Sequence, residues 1–392
     1  MLVITLVKGV PGRTAKVLRK DNVLQRQEME MVLNPNDFKA LEASDFLRRR
    51  AGGKIVALTM GPDTRLKPVL TPLFNEGATG VDEIFILSDP RCAGSDTAAT
   101  SYTVSLAVTR AVERHTGPFD ELITLLKVRA DTASVVSKAK ELWDANLLPN
   151  KVYSDLPSGS ESIVKRLAAG AITSDVAAQL LAKEKEAILK YVVIAGIRTS
   201  DGETGSVGPQ VAEAIGQRTG REFPHATYVE DLDVDIANMR IYADRRIGKH
   251  LQYLEIDCPC LLTMAPEYRA RRANAIDPLH AADNNYKGKL PEPLKWTADD
   301  VHADPARLGF PGSTVIVGPA ILIGKPATQK LVEQSTVFLR RVEKLDWEGK
   351  EFGPFEKGEL ADSLPQSLKD ELAKRGSIAR FSLEMLAEEL FA

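Results

Sequence analysis

The stretch richest in groups that could do chemistry is Gly196-Ile197-Arg198-Thr199-Ser200-Asp201-Gly202-Glu203-Thr204-Gly205-Ser206-Val207-Gly208-Pro209-Gln210. It follows an apolar run, Tyr191-Val192-Val193-Ile194-Ala195, and precedes a helical pattern at Val211, Ala212, Ala214 and Ile215. A glycine-rich turn between a strand and a helix N-terminus presents backbone N–H groups where a phosphate can sit. Thr204 and Ser206 add hydroxyl donors, and Arg198 adds a cation. Asp201 and Glu203 would repel a phosphate, so they either brace the loop or meet ribose hydroxyls. The spacing is neither the Walker A loop nor the dinucleotide fingerprint. Taken locally, a capped glycine turn without a ligand fits the same residues equally well.

Three further turns belong with that loop if the strands before them run parallel. Leu2-Val3-Ile4-Thr5-Leu6-Val7 leads into Lys8-Gly9-Val10-Pro11, and Ile55-Val56-Ala57-Leu58-Thr59-Met60 ends at Gly61-Pro62. Glu83-Ile84-Phe85-Ile86-Leu87-Ser88 leads to Ala93-Gly94-Ser95-Asp96-Thr97. Continuous apolar runs closed by turn residues suit strands buried on both faces of a parallel sheet. Ligands of open α/β sheets bind outside the carboxyl ends of such strands, so all four turns share one rim.

Helical spacing between the runs completes the α/β alternation. Phe38, Leu41, Ala43, Phe46 and Leu47 follow a capping Asn34-Pro35-Asn36-Asp37, while Leu66, Val69, Leu70 and Leu73 precede Gly77. A third helix is predicted over 97–112. A block over 121–190 holds two or three amphipathic helices, roughly 132–148 and 160–189, with Val135, Val136, Ala139, Leu142 and Trp143 as a core-facing stripe. Short, partly alternating segments over 226–263, Cys260-Leu261-Leu262 among them, read as an antiparallel meander or hairpin. The expected fold is α/β, a mostly parallel sheet of adenine-nucleotide-binding type with an added antiparallel hairpin, a helical insertion and a C-terminal arm.

Composition excludes several function classes. The 392 residues carry 51 Lys+Arg against 54 Asp+Glu, a balance that disfavours a broad nucleic-acid surface. Three Cys cannot build a disulfide framework, and Cys258 and Cys260 read as buried apolar thiols. The five His form no ligand motif, so no metal site is expected and none is given a catalytic role. The longest charge-free stretch, 308–324, contains Pro311 and Pro319 and falls short of the roughly 20 residues of a spanning helix. With no signal-like start, the expected compartment is the cytoplasm.

These motifs in this order resemble the beta subunit of electron transfer flavoprotein. The family's opening Val-Lys-x-Val-Pro is matched by Val7-Lys8-Gly9-Val10-Pro11, and its Asn-Pro-x-Asp by Asn34-Pro35-Asn36-Asp37 with Ala40-Leu41-Glu42 after it. Thr59-Met60-Gly61-Pro62 matches a third element. Residues 93–100 match a fourth with Ser95 for Ala, and 201–210 a fifth with Glu203 for Asp. The resemblance implies an electron-carrying subunit without a side-chain nucleophile, paired with an alpha subunit that holds the redox FAD. It implies AMP or a second FAD in the beta subunit itself, electrons from a flavin-dependent dehydrogenase or, in the electron-bifurcating branch, from NADH. Ser88-Asp89 ahead of 93–97 resembles the bifurcating branch more, which favours FAD. Nucleotide-contacting residues implied are Leu6, Asn34, Asp37, Met60, Ala93, Ser95, Asp96, Thr97, Gly196, Arg198, Asp201, Gly202, Glu203, Thr204, Gly205, Ser206 and Val207. The alternative from another class is a non-redox nucleotide sensor of the same fold.

Three departures qualify the match. Gly12 stands where many relatives have Asp. The dehydrogenase-docking loop, apolar at its tip in relatives, here reads Pro266-Glu267-Tyr268-Arg269-Ala270-Arg271-Arg272, so Tyr268, Arg269, Arg271 and Arg272 are the expected docking residues and an acidic counterpart is implied. The block over 121–190 interrupts a direct connection. The expected organisation is therefore a core of 1–120 and 191–263, the insertion, a partner-recognition region over 264–325 and a helical arm over 326–392.

Overall fold

The computed structural model describes residues 1–12, 19–20, 23–24, 30–74, 80–156, 161–270, 286–288, 290, 292–315 and short strands within 331–352. The chain divides into two units, 1–20 with 24–317, and 21–23 with 318–392. In the second, Leu331–Val332 pairs with Ser335–Thr336 and Leu345–Trp347 with Lys350–Phe352, both antiparallel. The expected helices of the arm lie outside the described residues.

The first unit begins β1 (Leu2–Leu6), β2 (Gly9–Pro11), β3 (Met31–Leu33), α1 (Asp37–Ala51), β4 (Lys54–Met60), α2 (Asp63–Leu70), β5 (Glu83–Leu87) and α3 (Thr97–Lys127). It continues α4 (Thr132–Asp144), α5 (Ile163–Ala168), α6 (Ser174–Leu189), β6 (Val192–Gly196), α7 (Val207–Thr219), β7 (His225–Asp235), β8 (Arg240–Ile247), β9 (His250–Asp257), β10 (Cys260–Met264) and β11 (Leu294–Trp296). Nine strands form one sheet in the order β9-β8-β7-β10-β6-β1-β4-β5-β11. From β7 to β11 along that order all neighbours are parallel; only β7–β8 and β8–β9 are antiparallel.

Alternate residues of the central strands supply opposite faces, as the two-residue strand period requires. Leu2, Ile4, Val193 and Ala195 join a core with α3, α4, α6 and α7, including Phe119, Trp143 and Val211. Val3, Val192 and Ile194 join Ala40, Phe46 and Leu47 of α1 on the other face. Helices thus cover both faces, which is why strands β1, β4 and β5 are almost wholly apolar.

Three expectations change. The helix predicted over 97–112 runs to Lys127 through Gly117-Pro118, so the first turns of the supposed insertion are the end of α3. Phe119, Leu122 and Leu126 are buried there, and that packing outweighs the local cost of an internal proline. The helices predicted over 132–148 and 160–189 are α4, which stops at Asp144, and two helices, α5 and α6, separated around Gly170 in the left-handed region. Cys260–Met264 is no part of the antiparallel meander: it is a parallel strand slotted between β6 and β7. Both Cys258 and Cys260 are buried. No helix among the described residues is long and apolar enough to cross a membrane.

Candidate functional site

From β1 the chain moves outward to β4 and β5, then returns through the α3–α6 helices to β6 on the opposite side of β1. The strand order therefore reverses between β1 and β6, and a crevice opens at their carboxyl ends. Lys8 and Arg198 leave the sheet there, side by side.

A buried carboxylate organises this point. Asp37, at the first turn of α1, accepts from the Lys8 backbone N–H (2.7 Å) and from Asn34 Nδ2 (2.7 Å). Asn34 Nδ2 also donates to the Arg198 carbonyl (3.0 Å), which receives a second bond from Asn36 Nδ2 (2.8 Å), and Ser200 N donates back to Asn34 Oδ1 (3.2 Å). Burial pushes the Asp37 carboxyl up to about 7, against the opposing pull of these hydrogen bonds and of the Gly196 N–H. A Cβ at Gly196 would lie 2.5 Å from Asp37 Oδ1 and 2.7 Å from the Asn36 carbonyl carbon, so only glycine lets the loop approach this closely.

Beyond the lock the loop turns outward. Lys8 Nζ grips both carboxylate oxygens of Asp201 at 3.0 Å, so Asp201 braces the loop. Glu203 N donates to the Thr199 carbonyl (2.9 Å), with Glu203 itself at φ 53° and Gly205 at φ 64°. These left-handed residues swing the chain into α7, whose N-terminus at Ser206 carries no side-chain cap. Gly208 holds that first turn against β10, where a Cβ would fall 2.5 Å from Thr263 Cγ2. Arg198 is exposed while its carbonyl is fixed, and among the described residues its guanidinium has no hydrogen-bond or ion-pair partner. The fixed backbone, the uncapped helix end and this cation form a donor set suited to phosphate.

The remaining rim residues divide. Leu6 and Met60 end β1 and β4 at the crevice, Leu6 buried and Met60 partly so. Ala93, Ser95, Asp96 and Thr97 form the turn into α3. The Asp96 carboxylate caps Ala99 N (2.8 Å), and Ser95 Oγ donates to the Cys92 carbonyl (2.8 Å). Asn34 and Asp37 are buried behind the loop with their oxygens engaged, so they hold the site's backbone. Sequence reasoning left out Lys8 and Asn36 as site residues and gave Ser200 no role of its own, although all three stand inside motifs already singled out.

The expected docking residues are not assembled in the same way. Tyr268 is 1% exposed and packs in the α1-face core, so its side chain cannot be a surface contact. Arg269 turns back onto the Pro266 and Tyr268 carbonyls, and Ala270 N donates to Glu42 (3.0 Å). Arg271 and Arg272 lie outside the described residues.

Residues 21–112 match the electron transfer flavoprotein domain family. Protein FixA of Bradyrhizobium diazoefficiens is 29% identical over 321 residues, covering 80% of this chain and 80% of its own. Electron transfer flavoprotein subunit beta of Clostridium acetobutylicum is 26% identical over 317 residues, covering 80% and 85%. The caffeyl-CoA reductase-Etf complex subunit CarD of Acetobacterium woodii is 24% identical over 317 residues, covering 80% and 84%.

Proposed function

We propose, from the premise that this chain belongs to the electron transfer flavoprotein family as a relative of its beta subunits, that it binds an adenine nucleotide at the β1/β6 switch point and carries electrons only as part of a heterodimer with an alpha subunit. The observation carrying this reading is the Asp37 lock, which fixes 196–207 as an open, donor-lined loop beside an uncapped helix end. A phosphate is held there by loop amides, with the Thr204 hydroxyl and the Arg198 guanidinium at its edge and the Ser206 hydroxyl after it turns from the Thr204 carbonyl to which it donates at 3.2 Å. Lys8, spent on Asp201, sets loop shape and keeps that carboxylate away from an anion.

Flavin supplies the redox chemistry when bound; the protein supplies binding, orientation and electrostatics. Asn34, Asn36 and Asp37 keep the loop backbone from shifting, and Gly196 keeps the crevice deep. The bifurcating reading, with FAD in this site and NADH as donor, is supported by Ser88-Asp89 ahead of the 93–97 turn. Donor docking is assigned to the cationic stretch at 269–272, with an acidic surface on the dehydrogenase.

The test is co-expression with the alpha subunit, followed by flavin absorbance and identification of released nucleotide. Two FAD per heterodimer is the expected result. One FAD plus AMP overturns the bifurcating reading and keeps the site; a colourless complex without nucleotide overturns the whole proposal.

A further inference from the structure

The segment after β11 returns to the rim of the crevice and closes on one residue. Asp96 Oδ2 accepts from Thr314 N (2.8 Å), Thr314 Oγ1 (2.9 Å) and Val315 N (2.8 Å), while Asp96 N donates to Ser313 Oγ (2.9 Å). Phe310 N adds a bond to the Ala93 carbonyl (3.0 Å). The approach is close enough to need Gly309, at φ 57°, where a Cβ would stand 2.2 Å from the Arg91 carbonyl oxygen. Together with the Ala99 cap, four donors converge on the Asp96 side chain. Burial disfavours its charge, yet these bonds hold its carboxyl below the usual range.

Three of these bonds fall on Oδ2 and the Ala99 cap takes Oδ1, so both oxygens are already tied to backbone and strap, and the effect of Asp96 passes through what it holds. Asp96 caps α3, and the next turn of α3 grips α7: Ser101 Oγ donates to the Val207 carbonyl (3.3 Å) and contacts Gln210 Oε1 (3.2 Å). Val207 is the first residue of α7, at the end of the phosphate-facing loop. The α3 end is neutralised by Asp96, whereas the α7 end has no side-chain cap. An anion arriving between them is directed to α7.

We infer that Asp96 is a positioning residue, and that residues 309–315 are a strap which, through Asp96 and α3, sets the α7 N-terminus for the nucleotide. The strap rests on the nucleotide reading above, and it differs from a general stabilising contact in acting on affinity. Removing one strap bond without losing volume loosens the α3 cap, lets α7 shift and weakens phosphate binding.

The experiment is equilibrium dialysis of AMP and of FAD against the complex with its partner subunit, for wild type, Thr314→Val, Thr314→Ser and Asp96→Asn. Thr314→Val is expected to raise the nucleotide Kd about three- to tenfold, the range for one ordinary hydrogen bond and less than the loss of a direct bond to a charged group, because the effect reaches the nucleotide through α3 and α7. Thr314→Ser, which keeps the hydroxyl, is expected to restore it, and Asp96→Asn to exceed Thr314→Val. Equal Kd for wild type and Thr314→Val overturns the strap, as does a Thr314→Ser Kd as weak as that of Thr314→Val. If Asp96→Asn does not fold, the Thr314 pair decides alone. Wild type that binds neither AMP nor FAD overturns the nucleotide reading itself, and the strap with it.

Discussion

The two edges of this sheet treat charge in opposite ways. At the carboxyl edge, one buried carboxylate is surrounded by backbone N–H groups and amides, and the result is an open crevice. At the amino edge, where β4 and β5 begin, Lys54 and Glu83 pair inside the protein, 1% and 0% exposed. Arg114 Nε (3.1 Å) and His115 Nε2 (3.5 Å) face the same Glu83 carboxylate, and Lys54 also donates to the Asn146 carbonyl. Asn146 in turn binds Gly288, and Tyr286 lies over Lys54, closing that edge from outside. Burial opposes ionisation of Glu83, but His115, Lys54 and Arg114 together hold its carboxyl well below the usual range. Burial likewise lowers His115, against the raising pull of Glu83. The comparison teaches that buried charge alone does not mark a site here. The edge whose buried carboxylate is met by backbone N–H groups and one side-chain amide is left open for a ligand; the edge whose buried carboxylate is met by charged side chains is sealed.

The sharpest way to break the contrast is Glu83→Gln. It strands Lys54 and Arg114 against a neutral amide, and loss of one partner of a buried pair costs about 3–5 kcal/mol. Urea denaturation should show that loss, while nucleotide affinity of the folded fraction stays at the wild-type value. A large affinity change would mean that the two edges are not independent.

A smaller effect comes from Asp37→Asn, read through pH. The folded carboxyl is raised to about 7, so the native chain keeps its proton after the unfolded chain has lost it. The stability contributed by Asp37 is therefore full below the unfolded value near 4 and is lost as pH rises through about 7. Melting temperatures measured between those limits should fall less steeply in Asp37→Asn than in wild type. An unchanged slope would remove Asp37 as the buried organiser of the carboxyl edge.

The smallest change is Arg198→Ala. Its side chain is exposed and its carbonyl keeps both bonds, so stability should not move. Nucleotide affinity should weaken about three- to tenfold through loss of a charge-assisted contact, measured by equilibrium dialysis. Equal affinities would place the phosphate away from Arg198.

Much of the carboxyl edge was legible because it is local. Strands β1, β4, β5 and β6 are apolar runs ended by turn residues, and the glycines of 196–208 stand at spacings that a close backbone approach requires. What escaped was built over long sequence separation. Asp96 looks like a helix cap, and nothing nearby announces Thr314. Lys54 and Glu83 open two apolar runs, and nothing local announces their pairing or the Asn146 and Tyr286 brought in beside Lys54 from far along the chain. Cys260–Met264 is too short for its pattern to name its neighbours, so its parallel place between β6 and β7 could not be read. The helix expected over 97–112 continues through Pro118 to Lys127, where Phe119 and Leu122 are buried by partners that local spacing does not name.

Amide hydrogen exchange on the heterodimer, with nucleotide retained and after its removal, tests the central claim most directly. The account predicts nucleotide-dependent protection over 196–207 and around 34–37, with none at the starts of β4 and β5. Protection at the amino edge, or an unaltered loop at 196–207 in a complex that does hold nucleotide, would contradict it.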